Sequence, residues 1–333
     1  MMRAHPTLRV LLVGLLVVAL ASFLPLWASG YVLGVLTIAC YFGVFAMAWD
    51  LLFGFAGEVN FGPTFLIGAG AYTAGILDNL YQPPIFVCVA AGAFAAVLGG
   101  VVLALPALRV RGPYFGLTTL VAVLMLQNFV VVDAPLTGGE IGLTVPDVIT
   151  IDDGTNYLIA LWFMAASGAA LFALSRSPAG LILQASGQDP VQAGALGFNV
   201  TKHKLTAFII SAFFSGLAGA LMAFYISSIS VGTFIDVTVG VQVIVAAVLG
   251  GRRTILGAAL GAVFLIVMVE FLRPLGGAAN ALVSDLCRCE YRDLSWLGEL
   301  ANFLVSAMAL AVVLFFPGGF FGLITRSRER PSS

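Results

Sequence analysis

The sequence predicts an all-α polytopic membrane protein with about ten transmembrane helices and both termini on the cytoplasmic side. Three observations predict it. Hydrophobic residues fill 61% of the 333 positions and charged residues only 9%, with a mean hydropathy of +1.08. No soluble domain carries that balance. Uncharged runs long enough to cross a bilayer recur along the whole chain. The basic residues are also sorted by side. With the N-terminus inside, Arg3, Arg9, Arg109, Arg111, Arg176, Lys202, Lys204, Arg252, Arg253, Arg326, Arg328 and Arg330 face the cytoplasm, and only Arg273, Arg288 and Arg292 do not.

Hydropathy places spans near 10–27, 31–53, 61–80, 85–105, 114–132, 157–174, 205–226, 236–251, 254–272 and 297–316. The first follows Arg3, His5 and Arg9. Ala19-Leu-Ala21 resembles a cleavage site, but the many spans that follow favour a retained helix. The loop 133–156 holds Asp133, Glu140, Asp147, Asp152 and Asp153 with no Lys or Arg, which suits an external segment. The eighth span is short and the ninth starts almost at once. The stretch 236–272 is therefore either two full spans or a broken element.

Between the second and third spans, Asp50–Gly75 concentrates Glu58, Asn60, Pro63 and several glycines. Gly and Pro at membrane depth are tolerated where neighbours re-satisfy the backbone, often beside a water-filled path. Ionisable and amide side chains in lipid are expensive, so Asp50, Glu58, Asn60, Gln127 and Gln242 are candidate translocation-pathway residues, with Asn128 and Glu270 behind them. The competing reading puts Asp50 and Glu270 at interfaces, with Glu270 paired to Arg273 at i, i+3.

The run 205–225 is small at every fourth position, at Ser211, Ser215, Gly219 and Ala223, and again at Ala212, Gly216 and Ala220. Gly257 and Gly261 repeat the spacing in the ninth span. Such faces let helix backbones approach closely inside lipid. They mark helix-packing positions.

The segment 175–204 is bracketed by Arg176, Lys202 and Lys204. Pro178 and Gly180 open a short helix and Gly197-Phe-Asn199 closes it. Leu181, Leu183, Ala185, Val191, Ala193 and Leu196 give it an apolar surface, either a handle for a partner or an ordinary connection.

Motifs for chemistry are missing from the chain. Neither of the two lysines follows a glycine, so there is no phosphate-binding Gly-Lys, and no H-E-x-x-H or G-x-S-x-G occurs. Cys40 and Cys88 lie in apolar runs. Cys287 and Cys289 have no nearby His and make a poor metal site. No enzymatic activity, cofactor or metal is expected on this chain. The net charge of −1 says nothing about nucleic acid, there is no basic run, and no nucleic-acid partner is expected.

Several motifs occur in one order: the Asp50–Gly75 stretch; L-R-V-R-G-P-Y-F at 108–115; T-T-L at 118–120; T-G-G-E-I-G-L at 137–143; A-G-A-L-G-F-N-V-T-K-H-K-L-T-A-F-I-I-S-A-F-F-S-G-L-A-G-A-L at 193–221; V-L-G-G at 248–251 with G-A-A-L-G at 257–261; and F-P-G-G-F-F-G-L at 316–323. Together they resemble the branched-chain amino acid permeases of bacterial ABC importers, of the LivM type. Glu58, Asn60 and Pro63 depart from that family's usual Gln, Ser and His. Leu124 and Gln127 stand where members often carry charges. The resemblance implies an ABC importer permease fold over 1–333, a single transmembrane domain with a cytoplasmic coupling loop at 175–204, in a bacterial inner membrane. It implies a second related permease subunit, two cytoplasmic ABC ATPases that bind ATP and Mg, and an extracytoplasmic substrate-binding protein. The implied substrate is Leu, Ile, Val or another amino acid, with urea or a short-chain amide as the alternative. A self-sufficient channel or secondary carrier is the reading from a different class. Leu181, Leu183, Gln188, Asp189, Val191, Leu196 and Gly197 are the implied ATPase-coupling residues. The loop keeps Asp189 but carries Leu181, Gln184, Gly187, Gln188 and Pro190 where the family is commonly charged.

Overall fold

In lipid every backbone polar group needs an internal partner, so uncharged runs become helices. The computed structural model describes residues 6–108 and 113–287, with side-chain surroundings over 12–108 and 114–271. Helix α1 (Pro6–Ala21) and a 3-10 turn (Leu24–Leu26) precede α2 (Gly30–Asp50), which runs on into a π-helical turn, Leu51–Phe55. Then come α3 (Pro63–Tyr81), α4 (Ile85–Ala107), α5 (Pro113–Val132) and the single turn α6 (Ala134–Thr137). Strand β1 (Leu143–Thr144) leads to α7 (Asp153–Arg176), α8 (Pro178–Gln188), α9 (Pro190–Ala195) and α10 (Val200–Ile226). Strand β2 (Ser228–Ile229), the short α11 (Val231–Phe234), α12 (Val237–Gly250) and α13 (Ile255–Cys287) complete the described chain.

Among the described residues, six stretches are long and apolar enough to cross a membrane: Gly30–Phe55, Ile85–Ala107, Tyr114–Val132, Asp153–Arg176, Val200–Ile226 and Val231–Gly250. Two shorter apolar helices, Leu12–Leu26 and Ile255–Phe271, stand beside them. Helix α10 packs most extensively on α3 and α4, while α13 packs along α2 and α12, and α2 along α7. The exposed face of α1, with Leu12, Leu16 and Leu20, is apolar, as a lipid-facing surface should be.

The connections gather at two ends. At one, β1 pairs antiparallel with β2, Asn79 donates to the Thr144 carbonyl at 3.1 Å, and the Asp147 amide donates to Asp78 at 3.2 Å. At the other, the end of α2 meets the turn between α12 and α13, the end of α8 and the start of α10. Arg176, Lys202, Lys204, Arg252 and Arg253 belong to this second, basic end.

The chain is mostly helical, as expected, and β1 and β2 add a two-residue ladder. One expectation needs correction. The short helix in 175–204 is two helices. Pro190 has no N–H to continue α8 and forces Asp189 out of the helical region, at φ −142° and ψ 92°. Of the two readings of 236–272, the eighth span fits the broken one: Val231–Gly250 is long enough to cross, but its continuous helix α12 has 14 residues, about 21 Å, against a hydrocarbon core of about 30 Å. Helix α11 and the turn at Ile235–Asp236 make up the rest of that arm. A tight turn with Gly251 at φ 105° and Arg253 at φ 64° then starts α13.

The tenth run, 297–316, lies outside the described residues. So do the Phe316–Leu323 motif, Cys289, Arg3, His5, Arg109, Arg111, Arg288, Arg292, Arg326, Arg328 and Arg330, and the side chains of Arg9, Arg273 and Cys287.

Candidate translocation and coupling site

The frame is set by small residues. Gly70 on α3 lies against the main chain of Gly216 on α10, and Gly92 on α4 lies against the Gly70 carbonyl. Gly219 faces the Ile67 carbonyl, and Gly216 also meets Ala96. A Cβ at any of these glycines would fall inside a neighbour, so α3, α4 and α10 touch backbone to backbone. Ser211 and Ser215 are buried on the same helix. In the second half, Gly257 meets Gly250, and Gly261 meets Ala246 and Gly250, which closes α12 against α13.

Between α2 and α3, residues 51–62 form a strap. Asp50, 1% exposed, accepts the Arg253 amide at 3.1 Å, and the Arg253 side chain donates from Nε to the Gly54 carbonyl at 2.9 Å. The Arg252 guanidinium stacks over Phe53, 4.5 Å from the ring centre. Asp50 thus sits at the junction with the 251–254 turn. Its other carboxylate oxygen has no hydrogen-bond partner among the described residues. Glu58 is paired with Lys204 at 2.5 Å. Asn60 is buried, its carbonyl accepting from Trp49 Nε1 at 2.7 Å and its side chain accepting from the Gly62 amide at 2.8 Å. The Phe61 amide donates to Thr119 Oγ1 on α5 at 3.0 Å. The strap therefore leads from the basic end into the bundle.

The second irregular element is the break ahead of α12. Ile235 packs on Gly68 of α3, and a methyl placed on Gly240 would touch Pro63 and Thr64 at 3.6 Å. Asn79, which bonds to β1, lies eleven residues beyond Gly68, about 16 Å along the helix. Helix α12 therefore begins inside the bundle, well short of the ladder end. Gln127 donates to the Ile235 carbonyl at 3.1 Å, and Asp236 caps α12 by accepting the Thr238 amide at 2.6 Å. Gln242 is half-buried further along α12. Of the candidate pathway residues, Gln127 stands at this break, while Asp50 and Glu58 gather at the basic end. Asp236 was missed. Its signal was an acidic N-cap two residues ahead of Thr238, at the head of an apolar run. Glu270 accepts a hydrogen bond from the Tyr31 hydroxyl.

A family model described as the permease component of the branched-chain amino acid transport system matches residues 31–313. The chain belongs to that permease family. LivM of Escherichia coli K12, a high-affinity branched-chain amino acid transport system permease protein, is 28% identical over 312 residues, covering 84% of this chain and 72% of LivM. BraD of Pseudomonas aeruginosa is 24% identical over 310 residues, covering 86% and 93%. LivH of Salmonella typhimurium is 25% identical over 311 residues, covering 86% and 92%. No solved structure matches the chain. Family membership and the apolar helices together make it a multi-pass membrane protein.

In this permease the α8–α9 pair has two faces. Ser177 caps α8 through the Gly180 amide at 3.3 Å, and Asp189 caps α9 by accepting the Val191 and Gln192 amides at 3.0 and 2.9 Å. Leu183 is 5% exposed and packs into the chain's own core, with Ser186 buried beside it. It is therefore removed from the outward set, because a residue two positions from Leu181 points to the other side of a helix. Leu181, Val191 and Leu196 are 59%, 81% and 76% exposed, and Gln188 is exposed between them. Gly197, at φ 87°, ends the pair in a conformation that favours glycine.

Proposed function

We propose that this permease is a transmembrane subunit of an ATP-driven ABC importer for branched-chain or other amino acids, in a bacterial inner membrane with both termini in the cytoplasm. The observation that carries the proposal is the α8–α9 pair. At the basic end it leaves Leu181, Val191 and Leu196 exposed, three apolar side chains on a loop with little charge. Exposed apolar side chains at such a place suit a protein contact. A cytoplasmic ABC ATPase, binding ATP and Mg, is the partner that fits it. The chain has no phosphate-binding motif of its own, so in this reading ATP hydrolysis comes from another chain through such a contact.

The same reading assigns the other surfaces. A second, related permease subunit packs beside the broken arm and completes a path past Gln127, Asp236 and Gln242. A substrate-binding protein docks at the ladder end, where 133–156 carries acidic residues and no Lys or Arg. The test is purification with these partners, reconstitution in lipid, and measurement of ATP hydrolysis with Leu, Ile, Val and urea. Stimulation by an amino acid is expected. Stimulation by urea alone would move the substrate to the amide class. Uptake by this chain without ATPase or binding protein would overturn the importer.

A further inference from the structure

We infer that Gly57, Glu58, Gly187 and Lys204 form a strut inside the chain, which carries displacement of the α8–α9 pair to the broken helices at the centre of the permease. They are positioning residues, and the inference rests on the importer reading.

Two contacts build the strut. Gly57 stands at φ 72°, where L side chains are strained, and its α-carbon abuts the main chain of Gly187 at the end of α8. A Cβ added to Gly187 would in turn strike the Phe55 carbonyl, Ala56 and the Gly57 amide. No side-chain layer separates the two backbones, so α8 cannot shift without moving the strap. One residue on, Glu58 pairs with Lys204 at 2.5 Å, with side chains only 17% and 13% exposed. At that burial salt screens the pair weakly. Lys204 sits in the first turns of α10. The strap is therefore gripped twice by the 175–204 segment, in its middle where α8 ends and at its far end where α10 begins.

The far side of the strap reaches the centre within a few residues. Phe61 is bonded to Thr119 of α5 at 3.0 Å, and Gly62 lies against the Thr119 carbonyl. Pro63 and Thr64 open α3 and face Gly240 of the short α12. Arg253 ties the 251–254 turn to the same strap through Gly54. A push on α8 has a continuous route, through closely packed main chain and one ion pair, to α3, α5 and α12. Contiguous elements of this sort carry coupling between sites.

The test uses the full chain, assembled with its partners in liposomes, and reads substrate imported per ATP hydrolysed. Glu58→Gln and Lys204→Met should each lower that ratio about fivefold, within the range that relay positions show, with the amount of assembled complex unchanged. The exchange Glu58→Lys with Lys204→Glu should bring it back to within about twofold of the parent. An unchanged ratio in the single variants, or a charge exchange that restores nothing, overturns the strut. If the variants fail to assemble, hydrogen exchange on the unsubstituted complex decides. Nucleotide should alter protection in 178–188 and 51–62 together, and a change in the first without the second overturns the strut. Absence of substrate-stimulated ATP hydrolysis in the unsubstituted complex would instead remove the importer reading.

Discussion

The side-chain amide of Gln127 on α5 donates to the main-chain carbonyl of Ile235, 3.1 Å away, where the chain breaks between α11 and α12. A helix break inside a bundle frees backbone groups that lipid cannot satisfy. Gln127 supplies a donor for one of them and Asp236 an acceptor for another, the Thr238 amide. The break is therefore held by side chains from two elements.

Replacing Gln127 with Leu should leave the Ile235 carbonyl unpaired at a cost of about 1–3 kcal/mol. The expected outcome is a permease that assembles but exchanges the amides of 235–240 faster and transports more slowly. Hydrogen exchange of that segment checks it, and unchanged protection there would show that the bond does not hold the break.

Gly219→Leu should drive a side chain into the Ile67 carbonyl and force α10 off α3. Overpacking costs about 1–3 kcal/mol where neighbours can yield, and main chain yields least. Yield of folded permease should fall sharply. Phe213→Leu, at an exposed position on the same helix, should be mild. Thermal stability in detergent separates the two.

Single cysteines at Glu140 and Gln192, both exposed and at opposite ends of the bundle, should label from opposite sides of the membrane. Glu140 should react from outside the cell. Labelling of both from one side would break the proposed orientation.

Val191→Asp or Leu181→Asp should weaken ATPase attachment by about tenfold or more while the permease folds, since both side chains point outward. Leu183→Asp should abolish folded protein, because it buries a charge without a partner at a cost of about 4 kcal/mol or more. Asp189→Asn should be mild, as both residues cap helices well. Co-purification and expression level read these outcomes apart.

Asp152, at the start of α7, is held below the usual carboxylate range, chiefly by the Thr155 hydroxyl and then by the Thr155 amide. A carboxyl lowered on folding adds stability above its unfolded pKa and loses it as pH falls through the folded value. Amides at the start of α7 should therefore stay protected down to the ordinary aspartate range and loosen only below it. Asp152→Asn should remove this acid step. Hydrogen exchange as a function of pH tests both.

The helices were legible because uncharged runs in lipid have few alternatives, and the small face of α10 was legible as a four-residue period. The α8–α9 break was also present in the sequence as Asp189-Pro190, once the missing N–H of proline is given its weight. Leu181 and Leu183 were separable by helical geometry, although their spacing alone says nothing about which of them faces the core. Two features were not legible. Asp50 meets Arg253 across 203 residues, and no local pattern signals that pairing. The start of α12 at mid-bundle depends on the β1–β2 ladder and on the placement of α3. In the sequence it is one Asp at the head of an apolar stretch.

Helices α3, α4 and α10 meet through Gly70, Gly92, Gly216 and Gly219 with main chain on main chain. At those four glycines no side chain that could trade rotamers stands between the backbones, so shear there meets main chain. The three helices must travel as one slab. Whatever opening and closing the permease performs is confined to hinges around that slab, at the strap, the 251–254 turn and the break at Ile235. A cross-link within the slab should thus be silent in transport, whereas one between the slab and α12 should freeze it.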